Sequence, residues 1–171
     1  MATIEQRNQT TPDLPIPMSN ESNDFDDDFE YAVDAYERED YETSYKLFLP
    51  LAEQGNASAQ YNLGVMYYQG QGVAQDYKEA VRLYRLSAEQ GYAFAQVLLG
   101  AMYSHGQGVP QDYKEAVRLY RLSAEQGEAS AQYNLGVMYD NGQGVAQDYV
   151  LAHMWFSLSS SQGITNEIKG R

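Results

Sequence analysis

An all-α solenoid of stacked helix pairs is the fold this sequence predicts, and three observations predict it. Residues 75–91 read QDYKEAVRLYRLSAEQG, and residues 111–127 read the same letter for letter, an offset of 36. Within each copy, apolar residues recur at helical spacing of three and four, interrupted by Gly-Gln-Gly and closed by a single glycine. Finally, one such pair of helices is too small to bury its own apolar stripe, so neighbouring pairs must stack.

The elements follow in order. Ala52, Ala88 and Ala124 open three copies, 52–87, 88–123 and 124–159, and Ser160 begins a fourth that soon stops. In copy one the first helix is expected over 57–69, with Leu63, Met66 and Tyr67 on one side and a break at Gly70-Gln71-Gly72. The second helix starts at Asp76, an N-cap residue, with Glu79 three positions on to complete a capping box. It carries Ala80, Val81, Leu83, Tyr84 and Ser87 and stops at Gly91. Asp112 and Glu115 repeat the box, whereas Asp148 is followed by Leu151 and keeps the cap alone. Upstream, residues 26–51 predict one more pair with a shorter turn. Phe29, Ala32, Val33 and Tyr36 form its first helix, and Tyr41, Ser44, Tyr45, Leu47 and Phe48 its second. About four helix pairs result.

Residues 1–25 are rich in Thr, Asn and Ser, hold Pro12, Pro15 and Pro17, and have little to bury, so a disordered tail is expected. Of the formal charge of -13, residues 1–51 carry 13 acidic and 3 basic side chains. The cluster Asp24, Asp26, Asp27, Asp28 and Glu30 sits where a helix begins, which suits the helix dipole. An acidic docking tail is the other reading of the same residues.

Composition excludes several functions. An acidic chain is a poor partner for nucleic-acid phosphates. The absence of cysteine removes disulfides, thiolate catalysis and cysteine-zinc sites. No apolar run approaches the ~20 residues of a membrane span, and no basic-then-apolar leader opens the chain. A cytoplasmic location is the expectation. Gly70-Gln71-Gly72 recurs at 106–108 and 142–144 between helices and never after a strand, so it reads as a turn and not a phosphate cradle. His105 and His153 have no repeated metal-ligand spacing, and Asp76 with Glu79 has the spacing of a cap. Neither a metal, a cofactor nor a catalytic residue is therefore expected.

The pattern Ala57, Ala59, Gln60, Leu63, Gly64, Met66, Tyr67, Gly70, Gly72, Val73, Asp76, Tyr77, Ala80 resembles the Sel-like repeat family, 36-residue relatives of tetratricopeptide repeats. Residues 93–116 and 129–152 keep every one of those positions. The stretch 28–51 looks more like a tetratricopeptide unit, since it lacks the G-x-G turn. The resemblance implies an α/α superhelical solenoid whose first helices line a concave face, serving as an adaptor or scaffold for other proteins.

Copies one and two differ at eight positions of 36, and six of these lie in the first helix: 58, 61, 62, 65, 68 and 69. At ~100° per residue they fall within an arc of about 120°. Ala59, Gln60, Leu63, Gly64, Met66 and Tyr67 occupy the opposite side, which predicts a fixed packing face and a free outward face. By the resemblance the free face is the groove. Copy one contributes Ser58, Tyr61, Asn62, Val65 and Tyr68. Copy two contributes Phe94, Val97, Leu98, Ala101, Ser104 and His105. From copy three come Ser130, Tyr133, Asn134, Val137, Asp140 and Asn141, so amides and aromatics flank an apolar middle. No Lys or Arg occurs in 52–77, 86–113 or 122–168, so a clamp on an acidic carboxylate is not expected. A protein or peptide segment with apolar anchors and flanking basic residues fits better.

The last helix replaces Lys-Glu-Ala-Val-Arg-Leu-Tyr-Arg of the earlier copies by Val150 to Ser157 and loses four charges. Residues 164–171 are expected to form a stub or partial cap over Trp155 and Phe156. The alternative is self-association through Met154, Trp155 and Phe156. The sequence thus predicts a non-catalytic protein-interaction module. A regulatory protein that sequesters one enzyme or toxin is the competing expectation.

Overall fold

The structure, a computed structural model, describes residues 24–169, with side-chain surroundings for 27–162. The tail expected over residues 1–25 lies outside them except for its last two positions. Eight helices and no strand are found among the described residues: α1 (Asp24–Glu37), α2 (Tyr41–Glu53), α3 (Ala57–Gln69), α4 (Tyr77–Glu89), α5 (Ala93–His105), α6 (Tyr113–Glu125), α7 (Ala129–Asn141) and α8 (Tyr149–Lys169). Substantial packing joins only helices consecutive in the chain, so each pair rests on its neighbours. The α/α solenoid is the observed fold.

Local chemistry sets the boundaries. Asn56 caps α3 by accepting from Ala59 N at 2.9 Å, and Gly70 ends it in the left-handed conformation at φ 71°. Asp76 caps α4 by accepting from the backbone N–H groups of Lys78 and Glu79. The expected reciprocal arm of the capping box is not formed. The Asp76 N–H donates to Tyr67 O at 2.9 Å, so Glu79 is released to pair with Arg82 at 2.6 Å. Glu115 pairs with Arg118 in the same way. At the C-terminus, α8 runs straight through Gly163, where Gly91 and Gly127 turn the chain at positive φ.

The side of the first helix that does not vary is the packed side. Ala59, Gln60, Leu63, Gly64 and Met66 are buried, as are their counterparts in α5 and α7. The buried polar residues are stitches between helices. Gln60 Nε2 donates to Ala52 O at 3.1 Å, tying α3 to the last turn of α2, and Gln96 and Gln132 repeat the bond. Ser87 Oγ donates to Ala57 O at 2.7 Å, and Ser123 and Ser159 repeat that one. A second aromatic row lies under the first helices. Tyr84 packs on Gly64, where an added Cβ would meet the ring at 2.7 Å; Tyr120 covers Gly100 and Phe156 covers Gly136. The turn glycine Gly72 has φ 71° and lies against the Tyr41 carbonyl of the preceding pair, so it satisfies two constraints at once.

Candidate functional site

The outward faces of consecutive first helices form two troughs. In the trough between α3 and α5, the Tyr61 ring sits 5.2 Å from Tyr92, 6.1 Å from Tyr84 and 6.2 Å from Phe94. Its burial raises the Tyr61 phenol above the ordinary value. Tyr68 crosses the trough and donates to Gln107 Oε1 at 3.4 Å. The space left is a slot of about 80 Å³ between Tyr68, Leu98, Ala101 and Gln107, with Tyr84 as its floor. The Tyr84 hydroxyl is buried without a hydrogen-bond partner, and desolvation pushes its pKa strongly upward. This trough is closed.

The next trough, between α5 and α7, is open. A bay of about 540 Å³ is lined by Ser104, His105, Gln111, Tyr113, Tyr120, Tyr133, Asn134, Val137, Met138 and Gln143. Tyr120 forms its floor, and desolvation pushes that phenol up to about 12. Tyr133 forms a wall, its ring 5.4 Å from Phe156 and itself 55% exposed. His105 Nδ1 lies 2.8 Å from Ala101 O; a carbonyl only accepts, so Nδ1 carries the proton and Nε2 is left as an acceptor in the neutral ring. No acid and no Lys or Arg lines the bay.

Of the residues expected in the groove, Tyr68, Leu98, Ala101, Ser104, His105, Tyr133, Asn134 and Val137 line one recess or the other. Phe94 is 49% exposed at the edge of the closed trough, while Ser130, Asp140 and Asn141 are exposed beyond the bay. Ser58, Tyr61, Asn62 and Val65 are half-buried on α3. Val97 is a correction. It is 8% exposed and lies in the core cluster with Val117 and Tyr120. Position 97 stands near the margin of the variable arc, where Tyr61 and Tyr133 reach outward by length and a valine does not. The apolar middle is accordingly narrower than expected, reduced to Leu98 and Ala101 with Phe94 beside them.

Sequence reasoning missed the floor and the turns. Tyr84 and Tyr120 belong to segments identical between copies, and Gln107 and Gln143 to the repeated Gly-Gln-Gly. Invariance marked all four as packing residues. The available signal was the aromatic register Phe48, Tyr84, Tyr120, Phe156, in which a hydroxyl appears only under the two troughs described.

Elsewhere, a recess of about 420 Å³ between α4 and α6 is lined by Arg85, Glu89, Glu115 and Arg118, whose opposite charges balance. Arg118 is committed to Glu115, and Arg85 donates to the Tyr103 hydroxyl at 2.9 Å. On α8, Trp155 and Phe156 are half-buried against the last pair, and Val150, Met154 and Leu158 form the exposed apolar stripe, Val150 being 79% exposed. Among the described residues no cluster of His, Asp and Glu has the arrangement of a metal site, and no helix is long and apolar enough to cross a membrane.

Comparisons with known proteins agree with the fold. The Sel1 repeat matches residues 32–56, 57–92, 93–128 and 129–164, and so includes the first pair, which the sequence likens to a tetratricopeptide unit. The chain is similar to c5321, a protective antigen present in uropathogenic Escherichia coli strains that displays an SLR fold (40% identity, TM-score 0.79), covering 84% of this chain and 32% of that one. It is also similar to a Sel1 repeat protein from Oxalobacter formigenes (32% identity, TM-score 0.75), covering 79% of this chain and 54% of the other. The chain thus spans a third to about half the length of these relatives. No curated protein matches it.

Proposed function

Because this chain belongs to the Sel1 repeat family, whose members are generally protein–protein interaction scaffolds, we propose that it captures a polypeptide segment along the row formed by α3, α5 and α7. The fold supplies the class of function, and the site must supply the partner's chemistry. The observation that carries the reading is the segregation of change. Second helices α4 and α6 are identical in sequence, whereas their first helices α3 and α5 differ on one face, and that face bears the exposed ring of Phe94 on α5 and, on the equivalent face of α7, that of Tyr133. Exposed aromatics beside a recess are the residue type on which interface energy concentrates. A wall without Lys or Arg in a chain of net charge -13 favours a segment with apolar anchors and basic flanks.

The test is affinity capture with the full chain beside a Phe94→Ala/Tyr133→Ala double variant whose thermal unfolding is measured in parallel. Proteins retained by the native chain are expected to be lost from the variant at unchanged stability. Equal capture by both overturns the reading.

The stripe Val150, Met154 and Leu158 favours a second contact, which we assign to self-association through α8. The corresponding residues of α4 are Lys78, Arg82 and Leu86. Light scattering should give a dimer that Val150→Lys/Met154→Arg converts to a monomer. A native chain that stays monomeric at high concentration removes this contact.

A further inference from the structure

At each junction between consecutive pairs, the one between α1 and α3 included, the turn glutamine of one pair stands beside the last turn of the first helix of the pair before it. Tyr36 donates to Gln71 Oε1 at 2.6 Å, and Tyr68 donates to Gln107 Oε1 at 3.4 Å. The third copy of this junction should be Ser104 with Gln143. A serine side chain is too short to span the trough, no hydrogen bond joins it to Gln143, and the two residues line an open bay. A second tyrosine is trimmed at the same place. Tyr61 covers Tyr84 in the closed trough, whereas the corresponding Val97 leaves Tyr120 as the floor of the open one. Two tyrosines separate a filled slot of about 80 Å³ from a bay of about 540 Å³.

The lining defines what fits. Tyr113, Tyr120 and Tyr133 line the bay with aromatic rings and hydroxyls, Asn134 and Gln143 with amides free to turn an oxygen toward a donor, and His105 holds Nε2 as an acceptor in its neutral ring. With no Lys or Arg in the lining a carboxylate finds no cation to pair with, whereas the acceptors and aromatic rings suit a flat, donor-only group. A guanidinium has that shape, carries five N–H donors and gives up its hydration more readily than an ammonium. The chain's excess of acidic residues attracts it from a distance. We propose that the bay between α5 and α7 is an arginine-anchoring site, taking the side chain of one arginine from the partner segment, an assignment that rests on the groove reading above. Ser104 is its specificity determinant, because the size of that side chain decides whether the bay exists.

The full chain, labelled with nitrogen-15, is titrated with N-acetyl-arginine methylamide and, separately, with its citrulline and lysine counterparts. Arginine should shift the amides of Ser104, Asn134 and Gln143 saturably, with citrulline and lysine weaker by roughly fivefold or more. Ser104→Tyr installs the residue found at the Tyr36 and Tyr68 positions and should abolish the shifts while the fold is retained. Asn134→Leu, the residue at the corresponding position 98, provides a second variant with the same expected loss. Equal responses to citrulline or lysine, shifts centred on Glu89 and Glu115, no response to any probe, or binding that survives both substitutions overturns the assignment. Partner capture that depends on Phe94 and Tyr133, with the bay indifferent to arginine, overturns this assignment alone and leaves the groove reading standing.

Discussion

Tyr120 resists ionisation in the folded chain because burial withholds water from its phenolate. Its folded pKa of about 12 lies above the ordinary value of 10.0, so above pH 10 unfolding releases a proton. The stability this group contributes is therefore complete below pH 10 and is lost as the pH climbs toward 12. At about 1.36 kcal/mol per unit the loss approaches ~2.7 kcal/mol. Urea midpoints between pH 8 and 12 should fall accordingly, and Tyr120→Phe should remove this share of the decline. Phenylalanine is tolerated there, since Phe48 and Phe156 occupy the same register. Gly100→Ala tests the surface beneath that ring. Alanine favours a helix over glycine by about 1 kcal/mol, but its Cβ would stand 2.8 Å from the Tyr120 ring. Overpacking of about 1–3 kcal/mol should prevail, giving a net loss of roughly 1 kcal/mol in denaturant unfolding.

At the level of elements, the turn and the cap can be tested separately. Gly72→Ala introduces a Cβ 2.6 Å from Tyr41 O at φ 71°, whereas Gly55 has φ 91° and nothing within 4 Å. Gly55→Ala should lose about 1–2 kcal/mol from the left-handed backbone alone. Gly72→Ala should lose at least about 2 kcal/mol, the excess measuring how closely one pair is seated on the next. Asp112→Ala removes the acceptor for Lys114 N and Glu115 N and should lower stability by about 1 kcal/mol. Helix boundaries were legible in the sequence because these devices are local: α3 was expected over 57–69 and runs Ala57–Gln69. Glu79 was misread because a second donor, the Asp76 N–H, is consumed by Tyr67 O nine residues earlier, a bond that exists only once the turn has folded. α8 continues through Gly163 to Lys169, and whether 164–171 cover Trp155 and Phe156 lies outside the residues whose surroundings are described. Within the site, the variable face was legible from the wheel. Val97 was not, because an angle on a wheel carries no information about how far a side chain extends.

Across the whole molecule, stability is a sum over neighbours, and among the described residues α8 packs substantially on α7 alone, where α4 and α6 each pack on two helices. Trp155, the single tryptophan, sits on that helix. Unfolding followed by its fluorescence should therefore precede unfolding followed by far-ultraviolet circular dichroism, and coincident curves would show one cooperative unit instead. The identity of α4 and α6 also acts before the native state is reached. Because QDYKEAVRLYRLSAEQG occurs twice, α3 meets two indistinguishable suitors during folding, and a hairpin closed with the wrong one is a slipped register rather than a random error. Side chains of α3 cannot break that tie, since the two candidate surfaces are the same; the short connection from α3 to α4 does, by closing that hairpin before the distant one can compete.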